Sequence, residues 1–184
     1  SSSSSSPWDA KLELLRYRTP PKSYKIPKQI RLSSNSIHLP PKLLPQTILL
    51  TSYPRSGNTL LRNLIERITN IITGSDTRPD RTLSKSLALH HNLIGEGITQ
   101  SKFTPVIKTH YPERKGYMPY HAHRIILLVR NPYDAIDSYW NMCCTNTHTE
   151  SVVEDIYDLY HERFENLAKS EIGTWLKFVK YWLC

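Results

Sequence analysis

The stretch LLTSYPRSGNTLLRNLIERITN, from Leu49 to Asn70, passes from an apolar run through a short polar loop into a helical pattern. Thr47-Ile48-Leu49-Leu50 is long enough for a buried strand. Leu60, Leu61, Leu64, Ile65, Ile68 and Ile72 then recur at helical spacing and predict one apolar face. Between them lie Tyr53-Pro54-Arg55-Ser56-Gly57-Asn58-Thr59. A helix N-terminus presents unpaired backbone N–H groups and the positive end of a dipole, and both favour an anion. Gly57 lets the backbone approach closely, Ser56 and Thr59 add hydroxyls, and Arg55 adds a charged fork of donors. The loop suits phosphate or sulfate. An ordinary strand-to-helix connection with a serine cap accounts for the same residues. The second glycine, lysine and Ser/Thr of a Walker A loop are absent.

The 184 residues fit one domain with a sizeable core, and 39% hydrophobic content with four tryptophans suits a globular fold. No apolar stretch approaches a membrane span, and no signal peptide opens the chain. The sequence begins at a serine and stops within the amphipathic pattern of FVKYWLC, so it reads as a fragment cut at both ends. Of the net charge of +8, residues 1–45 carry +6, with eight Lys/Arg against Asp9 and Glu13. Six opening serines and seven prolines in that segment predict an extended basic stem, with one helical turn near Leu12–Leu15. A basic tail can touch nucleic acid or anionic lipid, but a solvated linker is the favoured reading. The remainder, 46–184, is too nearly neutral for a nucleic-acid-binding core. Cys143, Cys144 and Cys184 give no disulfide framework, and no CxxC or His/Cys cluster suggests zinc. There is no N-x-Ser/Thr acceptor site.

After the first helix, TGSDTRPDRT is a loop rich in breakers. Leu83, Leu87, His90/His91 and Ile94 predict one weak helix, ended by Gly95-Glu96-Gly97. Val106-Ile107-Lys108 predicts a short strand stopped by Pro112. Ile125 to Val129 is the clearest strand, apolar on both faces as a central parallel strand is. Asn131 and Pro132 then supply an N-cap and a first helical residue. Their helix carries Ile136, Tyr139, Trp140 and Cys143 on one face. A further amphipathic helix spans Glu150 to Lys169, with Val153, Ile156, Tyr157, Tyr160, Phe164 and Leu167 inward, and the segment from Ile172 is helical too. Strands alternating with helices predict an α/β fold with a mainly parallel sheet.

Ligands gather at the carboxyl ends of such strands. The first strand ends in Arg55-Ser56-Gly57-Asn58-Thr59, the second in Lys108-Thr109-His110, and the third in Arg130 with Ser138 two helical turns on. Two anion-type clusters point to a ligand with two phosphate groups, and the histidine beside a lysine points to proton transfer. Singly, each cluster has a structural or capping explanation.

These residues carry a resemblance. TSYPRSGNTLLRNLIE resembles the 5′-phosphosulfate-binding loop of sulfotransferases dependent on 3′-phosphoadenosine 5′-phosphosulfate (PAPS), whose usual form is YPKSGTTW. VIKTHYP is similar to that family's strand ending in KTH, and RIILLVRNPYDAIDSYWN to its 3′-phosphate-binding motif. The match runs roughly from Gln46 to Asn141, and the Ser-Gly-Asn-Thr version is most like the WSC-domain-containing branch. The resemblance implies a P-loop-NTPase-like α/β fold, with a central parallel sheet flanked by helices and incomplete at its C-terminus. It implies a catalytic domain over 46–184 after a stem over 1–45. Arg55, Ser56, Gly57, Asn58 and Thr59 hold the 5′-phosphosulfate, and Arg130 and Ser138 the 3′-phosphate. Lys108 neutralises the bridging oxygen, and His110 takes the proton of an acceptor hydroxyl or amine. PAPS is the donor and no metal is implied.

The chain departs from the family pattern in several places. Leu60 stands where the usual tryptophan stacks on adenine, and Arg55 replaces lysine with a different donor geometry. The family's C-terminal Arg-Lys-Gly loop is not matched, and ERKGY at 113–117 lies in the wrong place to serve. A catalytically inactive nucleotide- or glycan-binding relative is the second reading. A P-loop nucleotide kinase is the third, lacking the Walker lysine and an acidic metal ligand at a strand end. If His110 is not the base, Glu113 is the first carboxylate to consider. The partners implied are the nucleotide donor and an unidentified acceptor, a glycan among the candidates, with no nucleic acid. Membrane association requires an N-terminal anchor beyond this sequence. A Golgi lumenal domain is favoured slightly over the cytoplasm.

Overall fold

The computed structural model describes residues 46–99, 104–112 and 122–184. The expected stem over residues 1–45, and Glu113, lie outside them. Element order is β1 (Ile48–Ser52), α1 (Asn58–Thr69), β2 (Gly74–Ser75), α2 (Thr82–His90), β3 (Val106–Thr109), β4 (Arg124–Leu128), α3 (Pro132–Thr145), α4 (Glu154–Leu159) and α5 (His161–Leu183). The parallel sheet is ordered β2-β3-β1-β4, and β2 pairs with β3 so that Gly74 faces Ile107 and Ser75 faces Lys108. The fold is the α/β arrangement the sequence predicts, a parallel sheet flanked by helices.

One strand sits differently. Ile125–Val129 reads as a central strand, yet β4 lies at the end of the row and Ile126 is 40% exposed. Apolar content reports what a strand can bury, not how many neighbours it has. The central place falls to β1, where Leu49 and Leu50 are excluded from solvent.

The chain divides into two compact units. The first gathers the described parts of Ser1–Leu50, Thr59–Thr109 and Gly116–Ile126. Here α1 turns part of the predicted apolar face outward, while Leu61 and Ile65 stay half-buried. Leu60 is 66% and Ile68 81% exposed, while Arg62 is 1% exposed. The Arg62 guanidinium donates from Nε to Thr73 Oγ1 at 2.8 Å and from Nη2 to the Thr73 carbonyl at 3.2 Å, and Nη1 pairs with buried Glu96. Glu66 Oε1 accepts from Thr73 N at 2.8 Å and from its hydroxyl at 2.6 Å. A side chain at Gly95 would run into the Thr73 carbonyl, so only glycine admits this approach. A buried guanidinium requires a carboxylate and full hydrogen bonding, and that network fixes which face of α1 turns inward.

The second unit comprises Thr51–Asn58, His110–Lys115 and Leu127–Cys184, of which 113–115 are outside the described residues. Asn131 caps α3 as predicted, its side chain accepting from Tyr133 N at 3.0 Å, with Pro132 opening the helix. Ile136 and Trp140 are buried, but Cys143 is exposed and Asn141 is buried in its stead. Asn141 Nδ2 donates to the Asp137 carbonyl at 3.0 Å and to Tyr157 Oη at 2.8 Å, and its Oδ1 accepts from Val152 N at 2.7 Å. The predicted Glu150–Lys169 helix is two. Tyr160, at φ −119° and ψ 29°, separates α4 from α5, which runs unbroken through Ile172 to Leu183. Phe164 packs edge-on against Trp140 and Tyr157, with ring centres 5.6 and 5.1 Å away. Near the end of α5, Phe178 and Trp182 are buried, and Trp182 Nε1 donates to the Tyr111 carbonyl at 2.9 Å.

Two outcomes are expected. Arg62→Met leaves the Glu96 carboxylate buried without its cation and should cost about 3–5 kcal/mol in urea unfolding. Adding Glu96→Leu should recover much of that loss, and a double variant no better than the single would show that packing, not charge, is at stake. Tyr157 donates to Asp137 Oδ1 at 2.7 Å. Burial first, then that bond, pushes its phenol up to about 12. The unfolded chain ionises this group near pH ~10, so the stability it contributes is intact below that and lost as pH rises towards the folded value. Tyr157→Phe should flatten the fall of unfolding free energy across that window.

Candidate functional site

Between β1 and α1 the backbone takes two left-handed residues, Arg55 at φ 64° and Gly57 at φ 101°. Glycine adopts this conformation without penalty. Arginine does so at a cost of order 1–3 kcal/mol, and its contacts in the second unit offset it. Arg130 Nη1 donates to the Arg55 carbonyl at 2.9 Å. The Arg55 guanidinium donates from Nε to Ser138 Oγ at 3.0 Å, and from Nη2 to the His148 carbonyl at 3.2 Å. Its Nη1 lies 3.0 Å from His148 Nδ1. A guanidinium only donates, so His148 Nδ1 is the acceptor and carries no proton. His148 was not legible in the sequence, because it sits in a loop ten residues past Ser138 with no pattern around it.

Positive charge is concentrated here without a counter-ion. Among the described residues neither Arg55 nor Arg130 makes an ion pair. Burial first, then the charge of Arg130, lowers the proton affinity of Arg55 from its ordinary value. The first turn of α1 contains no acidic side chain to offset its dipole. Ser56 Oγ and Asn58 Oδ1 are buried with no hydrogen-bond partner among the described residues, while Asn58 Nδ2 donates to Ser52 Oγ at 2.5 Å. Buried polar atoms are normally satisfied. Two uncompensated guanidiniums and an orphaned hydroxyl are what an anionic ligand would complete.

His110 belongs to the same unit. Its Nδ1 is 2.7 Å from the Ser52 carbonyl. A carbonyl only accepts, so Nδ1 carries the proton and Nε2 is the basic nitrogen of the neutral ring. Arg55, Ser56, Gly57, Asn58, His110, Arg130 and Ser138 are thus joined within one unit.

Thr59 and Lys108 fall in the first unit. Thr59 is the second residue of α1 and half-buried. Lys108, the third residue of β3, is buried, and its Nζ donates to Thr77 Oγ1 at 2.9 Å. That is its one hydrogen bond among the described residues, although an ammonium carries three donors. Desolvation lowers its proton affinity. Glu96 and Asp76 oppose that effect, and Arg62 adds to it. Asp76 and Thr77 were missed in the sequence, since the two-residue β2 before them is too short to leave a pattern. Among the described residues no group of three or more His, Cys, Asp or Glu could hold a metal ion, and no helix is long and apolar enough to cross a membrane.

Residues 45–184 match the sulfotransferase domain family. WSCD family member CG9164 of Drosophila melanogaster is 36% identical over 98 residues, 53% of this chain and 28% of that protein. WSCD family member AAEL009094 of Aedes aegypti is 38% identical over 92 residues, 50% of this chain and 26% of that protein. Sulfotransferase 1B1 of Mus musculus is 27% identical over 149 residues, 75% of this chain and 48% of that protein. The chain therefore spans between about a quarter and a half of the length of these relatives. No solved structure matches. With a match over this much of its length, and a strand-end loop of the expected kind, the chain belongs to the sulfotransferase family.

Proposed function

We propose that this domain transfers a sulfuryl group from PAPS to an acceptor hydroxyl or amine. The observation that carries the reading is at the Arg55–Asn58 loop, where the Arg55 guanidinium, the Arg130 guanidinium bonded to the Arg55 carbonyl and the buried Ser56 hydroxyl have no anionic partner among the described residues, in a chain of the sulfotransferase family. The residues present fit a bisphosphorylated nucleotide. Arg55, Ser56, Gly57, Asn58 and Thr59 hold its 5′-phosphosulfate through side chains and the N–H groups opening α1. Arg130 and Ser138 hold its 3′-phosphate. PAPS supplies a sulfuryl group already activated by its bond to phosphate.

The chain's own contribution is charge and proton management. Lys108 is suited to neutralise the bridging oxygen as the sulfur–oxygen bond breaks, because a buried ammonium acts in low dielectric and has two donors left. His110 Nε2 takes the proton of the acceptor as its heteroatom bonds to sulfur, and the Ser52 carbonyl keeps the ring in the tautomer that allows it. An inactive nucleotide-binding relative is the second reading. Leu60 favours it, since an exposed leucine at the family's tryptophan position gives adenine a weaker surface.

Binding and turnover separate these assignments. Adenosine 3′,5′-bisphosphate should bind at least about tenfold, or ~1.4 kcal/mol, more tightly than 5′-AMP in calorimetry. Arg130→Ala should erase that preference, and equal affinities in the unaltered protein would remove the 3′-phosphate assignment. His110→Ala should lower sulfate transfer from labelled PAPS roughly a hundredfold while leaving bisphosphate affinity nearly unchanged. Near-normal turnover in His110→Ala would place the base elsewhere.

A further inference from the structure

The cluster around Lys108 contains more than the reaction scheme uses. β2 ends at Ser75, which pairs in register with Lys108 of β3. The next residue, Asp76, donates its backbone N–H to the Lys108 carbonyl at 3.1 Å, locking the two strand ends together. Its carboxylate is buried and accepts from Thr109 Oγ1 at 2.7 Å through Oδ2. One residue further, Thr77 provides the acceptor for the Lys108 ammonium, and its own N–H is bonded to Ser75 Oγ at 3.1 Å, which fixes the turn. An ammonium on a four-carbon stem has wide freedom unless something aims it. A cation this deeply buried also needs nearby negative charge.

We propose that Asp76 and Thr77 are positioning residues for Lys108: the Thr77 hydroxyl aims its ammonium, and the Asp76 carboxylate balances the buried positive charge. The inference rests on the role given to Lys108 above. The charged groups facing that ammonium are Asp76 after β2, Glu96 from the loop before β3, and Arg62 of α1. Glu96 is also paired with Arg62, whose charge works against it at the ammonium, and Asp76 adds the second counter-charge. Burial alone drives the ammonium towards its neutral form, and neutral Lys108 cannot meet charge on a departing oxygen. Asp76 extends the pH range over which the lysine stays charged. Thr77 also favours the charged form by accepting from it, and its distinct part is to govern where the charge points.

The two roles have different signatures in the full-length chain. Lysine 13Cε resonances titrated by NMR, with Lys108→Arg to assign the signal, report the charge directly. Acceptor-independent release of labelled sulfate from PAPS reports its consequence. In Asp76→Asn the Lys108 resonance should titrate at least about one pH unit lower than in the unaltered protein. The alkaline limb of sulfate release should move down with it, and Asp76→Glu should restore both. In Thr77→Val, which removes a hydroxyl while keeping side-chain volume, release should fall about tenfold even on the plateau below the limb, where Lys108 is charged and Asp76→Asn leaves release unchanged. An unshifted Lys108 resonance in folded Asp76→Asn overturns the charge role, and unchanged release in Thr77→Val overturns the aiming role. Should Asp76→Asn fail to fold, Asp76→Ser, which also removes the carboxylate, takes its place, and an unshifted Lys108 resonance there overturns the charge role in the same way. If the resonance moves but the limb of release does not, the charge inference stands and the catalytic reading of Lys108 falls.

Discussion

Two guanidiniums, Arg55 before α1 and Arg130 after β4, meet at the Arg55 backbone with no carboxylate paired to either among the described residues, and they set the terms for what surrounds them. Like charges in a partly buried loop repel, and they stay there only because other groups fix each one in place. Ser138 and His148 hold the Arg55 side chain, and Arg130 in turn holds the Arg55 main chain. The left-handed backbone at Arg55 and Gly57 lies where these contacts converge. Strain, the charge of Arg55 and an orphaned serine hydroxyl coincide in one short loop, and the ligand site proposed above draws on that coincidence.

The first unit solves the opposite problem. Arg62, Glu96, Asp76 and Lys108 are all buried, and their charges sum to nothing. Arg62 donates to Glu96 and twice to Thr73, and Thr73 in turn donates to Glu66. Among the described residues the Lys108 ammonium makes one hydrogen bond, to Thr77. Within one buried network, then, the arginine is held by three bonds and the lysine by one. The role proposed for Lys108 draws on that difference.

Legibility in the sequence tracked how local the cause was. Asn131 and Pro132 cap and open α3 as read, because capping is settled by residues within one turn. The Arg55–Thr59 loop was legible because strand, glycine and helix are contiguous. The inward face of α1 was misread because the partners of Arg62 are Thr73 and Glu96, distant in the chain. Asn141 displaced Cys143 from its predicted burial for the same reason, its partners Tyr157 and Val152 coming from beyond the helix. Asp76, Thr77 and His148 were missed outright. Each lies in a loop, where no periodicity exists to be read.

Sequence by itself determined the α/β alternation, the strand–glycine–helix run of the first loop, and the three strand ends at which polar residues collect. It also carried the family, through motifs whose spacing is fixed by contiguous backbone. Tertiary structure alone decided the strand order that sends apolar β4 to the edge. It alone decided the burial of Arg62 over Leu60 and Ile68, the seating of Arg55 on His148, and the pairing that brings Asp76 and Thr77 to Lys108. Periodicity records how a segment meets its own neighbours in the chain. Charge pairing across a fold depends on which distant segments arrive beside it, and a buried ion tolerates no arrangement in which its partner fails to come.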